Sequence, residues 1–151
     1  MREPFALEPG EGEVLAMFDA TLTIKTGASA SGNRFSLLEG RFQTGGFAPL
    51  PHIHRDEDES FFVLEGRFAF RIDARQFERE AGAFVHVPPG HLHGFKSAGD
   101  TPGRILVLHA PPLDRFFLGM ADLAATGVMD RDALATLMER HGMEVPAPLD
   151  Q

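Results

Sequence analysis

Three features of the sequence predict an all-β chain, an antiparallel sandwich or barrel, ending in a tail of two short α-helices. Between Glu13 and His109, apolar residues alternate with polar ones in short runs, which is the two-residue period of a half-buried strand. Glycine and proline interrupt those runs at Gly45-Gly46, Gly66, Gly82, Pro88-Pro89-Gly90 and Pro102-Gly103, where chains turn. Beyond Pro111-Pro112 the apolar spacing lengthens to that of a helix. Strands followed by helices argue for a layered β-domain carrying a helical tail.

The elements follow in order. Residues 1–12, with Pro4, Pro9, Gly10 and Gly12, read as an arm. Val14, Ala16 and Phe18, then Leu22 and Ile24, alternate with their neighbours and predict one or two short strands. Thr26 to Asn33 is small and polar, a loop by composition. Alternation resumes at Arg34, with Phe35 and Leu37 on one face. Phe61–Leu64 is apolar at every position and predicts a strand buried on both sides. Phe68, Phe70 and Ile72 mark the next strand, and the intervening Glu65-Gly66 is a hairpin signal. Short strands over 77–81 and 83–87 flank Gly82, and a last strand runs from Arg104 to His109. In the tail, Phe116, Phe117, Met120, Leu123 and Ala124 share a helical face, with Asp114 as N-cap. Asp130 caps a second helix, with Met129 and Leu134 at the hydrophobic-staple positions. The end, residues 145–151, is expected to fray.

Bulk chemistry narrows the function. A length of 151 residues suits one domain with a substantial core. The net charge of −8 and the absence of a Lys/Arg cluster argue against nucleic acid and anionic membrane surfaces as partners. No apolar run reaches transmembrane length and the N-terminus lacks a signal-peptide core, so a cytoplasmic location is expected. With no cysteine, any metal must be held by His, Asp or Glu.

One stretch carries the chemistry: Pro51-His52-Ile53-His54-Arg55-Asp56-Glu57-Asp58-Glu59. Residues two apart on a strand point the same way, so His52 and His54 present two imidazoles together. Glu59 opens the next strand, and a chain that doubles back there brings its carboxylate to the pair. Two His and one carboxylate on one side of an ion leave the other side open. Asp56, Glu57 and Asp58 read as a solvated charge run.

The first stretch fits G-x5-H-x-H-x4-E-x6-G through Gly46, His52, His54, Glu59 and Gly66. A second, fifteen residues later, fits G-x5-P-x-G-x2-H through Gly82, Pro88, Gly90 and His93, with Ser97 where the pattern ends on Asn. Together these motifs resemble the cupin superfamily, and the sequence around them looks most like small single-domain cupins of the quercetin 2,3-dioxygenase-like group. The resemblance implies a jelly-roll β-barrel over 13–112, between the 1–12 arm and a 113–151 helical tail. It also implies one divalent transition metal (Fe, Mn, Ni, Co, Cu or Zn) held by His52, His54, Glu59 and His93. A metal-dependent dioxygenase-like enzyme on a small aromatic or enolisable substrate is expected, with Glu59 as catalytic base. A non-catalytic small-ligand-binding or sensing cupin, and a metal-dependent isomerase or lyase, are the alternatives. The isomerase or lyase would want cations inside, and Arg34, Arg41 and Lys96 are its candidates. Of the other histidines, His91 is read as a loop residue, His86 as an outer-face or interface residue, and His109 as a possible pocket-lining one. The apolar strand 61–64 and the apolar tail both want cover, which predicts a homodimer.

Overall fold

The structure, a computed structural model, describes residues 1–146, so most of the segment expected to fray lies outside the described residues. Three strands open the chain: β1 (Glu13–Met17), β2 (Ala20–Thr26) and β3 (Ser36–Phe42), with the one-turn helix α1 (Ala28–Ser31) before β3. The loop expected over 26–33 therefore contains a helical turn. It closes on Gly32 in the left-handed region, with φ 66°, where glycine carries no Cβ penalty. Next come β4 (Ile53–His54), β5 (Asp58–Glu65), β6 (Arg67–Ile72), β7 (Arg75–Glu80), β8 (Phe84–Val87), β9 (His93–Ser97) and β10 (Gly103–Ala110). The chain ends in α2 (Asp114–Ala124), α3 (Arg131–Arg140) and β11 (Met143–Glu144).

The strands form a six-stranded sheet ordered β1-β2-β3-β10-β5-β8, a three-stranded sheet β7-β6-β9, and the pair β11-β4. All pairings are antiparallel. The sheets are open, not closed into a hydrogen-bonded barrel. Glu65-Gly66 does not make the expected hairpin, because β5 and β6 belong to different sheets. Gly66, at φ 76° with only 3.1 Å between a notional Cβ and Gly103 Cα, is instead the corner where the chain changes sheet. Phe61 from one sheet and Phe70 and Phe95 from the other meet edge-on or tilted, with centroids 5.1–6.3 Å apart, and this aromatic cluster holds the layers together.

Alternation found the strands but in places chose the wrong face. Leu15 and Met17 are buried, whereas Val14 is 60% exposed. In β3 the inward set is Ser36, Leu38 and Phe42, not Phe35 and Leu37. The strand Phe61–Leu64 is buried on one side only: Phe61 and Val63 point in, while Phe62 is 42% exposed. Phe84, opposite Phe62 in register, is 61% exposed.

Asp114 is the first residue of α2 and not its N-cap, which is Leu113. The Asp114 carboxylate instead accepts from the Ala28 amide at 3.0 Å. Asp130 does cap α3, accepting from the Ala133 amide at 2.9 Å. Gly119 lets the two helices approach, since a Cβ there would meet Leu137 Cδ1 at 2.9 Å. After α3 the chain pairs with the HxH strand: Met143 opposes His54 and Glu144 opposes Ile53. The Arg55 amide donates to Gly142 O at 2.9 Å, and its guanidinium reaches Glu139 at 3.3 Å and Glu144 at 3.1 Å. No helix among the described residues is long and apolar enough to cross a membrane.

Candidate metal centre

His52 and His93 face each other across a backbone pair, each amide donating to the other's carbonyl at 3.0 Å. The two motifs are joined at this point. The turn before His93 is held by the Gly90 amide donating to His54 O at 2.9 Å, with Gly90 at φ 91°. On β5, Glu59 lies opposite His109 of β10 and Val87 of β8, and strand alternation turns its side chain inward.

These placements bring together the residues singled out from the sequence. His52, His54, Glu59 and His93 are all buried, and each offers one ligand atom, the four lying within 4.8 Å of one another. His52 Nε2 is 3.1 Å from His54 Nε2. Glu59 Oε2 is 2.8 Å from His54 Nε2 and 2.6 Å from His93 Nε2.

The donor chemistry fits a cation. A carbonyl can only accept, so His52 Nδ1 donates to Leu50 O at 2.6 Å and His93 Nδ1 donates to His91 O at 3.0 Å. In the neutral rings, each Nε2 then carries a lone pair. Lone pairs and a carboxylate oxygen crowded together repel unless a proton or a metal sits among them. Metal–ligand bonds of about 2.0–2.2 Å place neighbouring donors about 3 Å apart, close to the spacing here. With no cysteine, the donor set is N/O only, suited to divalent first-row metals.

In the metal-free protein, protons stand in for the cation. Burial pushes His52 down to about 4, with Glu59 opposing and His93 and His54 assisting. Burial would raise Glu59, but the His109 charge and contacts from His109, His54 and His93 hold it well below the usual carboxylate range. Burial would lower His93, yet its hydrogen bond to Glu59 and that carboxylate's charge raise it. His93 and Glu59 thus share a proton in favour of the imidazole.

The cluster opens onto a cavity of about 240 Å³. Apart from His52, His54, Glu59 and His109, its lining is apolar side chains, including Phe18, Phe42, Phe47 and Phe95. One wall comes from the tail: Phe116, Phe117 and Met120 of α2, Leu134 and Met138 of α3, and Met129 and Met143. The helical segment, which lies outside the motifs, is thus part of the site.

One residue of the site, Glu57, escaped the sequence reading, and another, His109, read there as a pocket-lining candidate, does line the cavity. Glu57 is buried, not solvated, and its Oε2 lies 3.8 Å from His54 Nδ1, while burial raises its carboxyl. Nothing in the charge run sets it apart from Asp56, which is exposed. His109 is 1% exposed, with Nε2 3.1 Å from Glu59 Oε1. Its signal was present: it shares the inward face of β10 with Ile105 and Val107. His91 and His86 lie outside the cluster. His91 is exposed and held by Asp73 at 2.7 Å, and His86 is on the outer face with Ser60 at 2.8 Å. Arg34, Arg41 and Lys96 are exposed and do not line the cavity.

An open β-fold gathers three His and one Glu into a buried group that could hold a metal ion. Within it, the family model of the cupin domain matches residues 38–109. Residues 38–109 thus form a cupin domain. It is 25% identical over 119 residues to quercetin 2,3-dioxygenase of Bacillus subtilis, covering 79% of this chain and 35% of the dioxygenase. An RmlC-like cupin from Shewanella frigidimarina superposes with TM-score 0.60 at 20% identity, covering 77% of this chain and 99% of that one. The oxalate decarboxylase of Lactobacillus farciminis superposes with TM-score 0.58 at 19% identity, covering 66% of this chain and 31% of that one. These two likenesses are likenesses of fold. The chain spans about a third of the length of the dioxygenase and of the decarboxylase.

Proposed function

We propose that this cupin holds one divalent transition metal through His52, His54, Glu59 and His93, and acts as a dioxygenase-like enzyme on a small aromatic or enolisable substrate. The observation that carries the reading is a buried N/O donor cluster facing a cavity whose other walls are almost wholly apolar. The metal, when bound, supplies Lewis acidity toward an acidic hydroxyl of the substrate. The residues supply the rest. His52 and His93 are oriented by the Leu50 and His91 carbonyls, as imidazole ligands generally are by a partner on the second nitrogen. Glu59 is the base that accepts the hydroxyl proton. The phenylalanines and methionines exclude water and give the substrate a fitted apolar bed. Arg34, Arg41 and Lys96, being outside the cavity, leave little to recognise an anionic substrate, which disfavours an isomerase or lyase on such compounds.

The test is oxygen uptake with flavonols and other enolisable aromatics, using protein reconstituted with each metal in turn. Uptake by wild type and not by His54→Ala supports the reading. No uptake with any metal overturns it, and ligand binding without turnover would then favour the sensing cupin. We also infer a homodimer that covers Phe62 and Phe84, which stand exposed side by side. A monomer in light scattering at micromolar concentration would refute it.

A further inference from the structure

The geometry points to His109 as a recognition residue for the bound small molecule, one whose ring meets a second polar group on an otherwise apolar ligand. The inference rests on the proposed reading only in that the cavity takes a small ligand beside the donor cluster.

His109 lies on the inward face of β10, is 1% exposed and lines the cavity. Its Nδ1 is buried with no hydrogen-bond partner, while Nε2 lies 3.1 Å from Glu59 Oε1. A buried polar group without a partner is costly, and native proteins leave few. Its nearest rings are His54 at 5.4 Å and Phe117 at 5.5 Å between centroids, so it sits where the donor cluster passes into the apolar wall. The other unpartnered buried atoms behave differently, and Arg67 Nε lies 3.1 Å from the Glu78 carboxylate, away from the cavity. Glu57 Oε2 and His54 Nδ1 face each other at 3.8 Å, and Glu57 does not line the cavity.

A molecule filling this space meets His52, His54 and Glu59 at one point and a single further hydrogen-bonding side chain, His109, beside them. Every other lining side chain is apolar. The ligand class this selects has a ring-sized apolar body bearing two neighbouring polar functions, hydroxyl or carbonyl. One is directed at the donor cluster and the other at His109. Replacing the imidazole by an apolar ring should leave the donors in place and erase the preference for the second polar function.

The experiment compares 2-naphthol with 2,3-dihydroxynaphthalene, two probes that differ by one adjacent hydroxyl. Affinities are measured by fluorescence titration on the full chain, zinc-loaded and metal-stripped, for wild type, His109→Phe and His109→Asn. Wild type is expected to prefer the diol by about 5–150-fold, the range for a hydrogen bond to a buried group left otherwise unpaired. His109→Phe is expected to lose that preference at unchanged zinc content, and His109→Asn to keep part of it. A wild type with no diol preference overturns the inference. So does a folded His109→Phe, or His109→Asn if the Phe variant does not fold, that discriminates as strongly as wild type or better. The readout is binding without turnover, so an absence of oxygen uptake overturns the dioxygenase reading and leaves this result standing.

Discussion

The cavity has two unlike sides. One is built by the motif strands and the end of β10, where His52, His54, Glu59 and His109 line the wall. The other is built by the C-terminal helices and their loops, where Phe116, Met120, Met138 and Met143 present only apolar surface. The first side is rigid, since backbone pairs tie His52 to His93 and Gly90 to His54. The second is methionine-rich, and methionine's unbranched, polarizable chain adapts to irregular shapes. The difference separates two surfaces: the strands present the candidate donors, and the tail presents an apolar wall.

That division can be broken from either side. The largest effect is expected on the donor side. His54→Ala should weaken metal binding by more than ~100-fold, beyond what loss of an outer neighbour typically costs, as read by metal content after dialysis. A near-stoichiometric metal content in that variant would remove His54 from the cluster.

The next effect is a pH dependence of the metal-stripped protein. The unfolded chain protonates His52 near 6.5 while the folded one resists until about 4. Unfolding therefore takes up a proton in this window, and stability falls as pH drops from 6.5 toward 4. The gap corresponds to at most about 3 kcal/mol from this residue. Urea unfolding of wild type and His52→Gln at neutral and acidic pH should show the variant losing less stability. Parallel losses would exclude His52 as the source. His93 works in the opposite sense: its raised value adds stability below the unfolded value, and that stability is lost as pH rises through the folded one.

On the apolar side, Met138→Ala should lower unfolding stability by about 2 kcal/mol, the low end for truncating a buried methionine, because the site already borders a cavity. Metal content should not change. A variant that loses metal along with stability would show that the two sides are not separate. The smallest effect is expected at their junction. Arg55→Ala removes exposed ion pairs to Glu139 and Glu144, and surface pairs contribute little. The unfolding midpoint should barely move, while hydrogen exchange at Gly142 to Glu144 quickens. Unchanged exchange there would mean that the backbone pairing of β11 with β4 suffices to hold the tail.

Much of the centre was legible because its signal is local. A two-residue period places His52 and His54 on one face, and the spacing to Glu59 and from Gly82 to His93 matches a known pattern. The errors arose where local information is degenerate. In β1, Val14, Leu15, Ala16 and Met17 are all apolar, so alternation names two faces without saying which is inside. Glu65-Gly66 has the composition of a hairpin, but turn chemistry does not say which sheet receives the next strand. Glu57 sits among like residues, and only the packing around His54 buries it.

By itself, the sequence determined the strand-rich class, the punctuation between strands, the two tail helices and the four candidate donors, because periodicity, turn residues and motif spacing act over a few residues. The tertiary structure alone decided that His109 stands across from Glu59, that the sheets stay open, and that the tail folds back to wall the cavity. Those facts depend on strand register and on the pairing of β11 with β4, contacts between residues some ninety positions apart. The physical reason is that a buried apolar face specifies that it must be covered, but not by what.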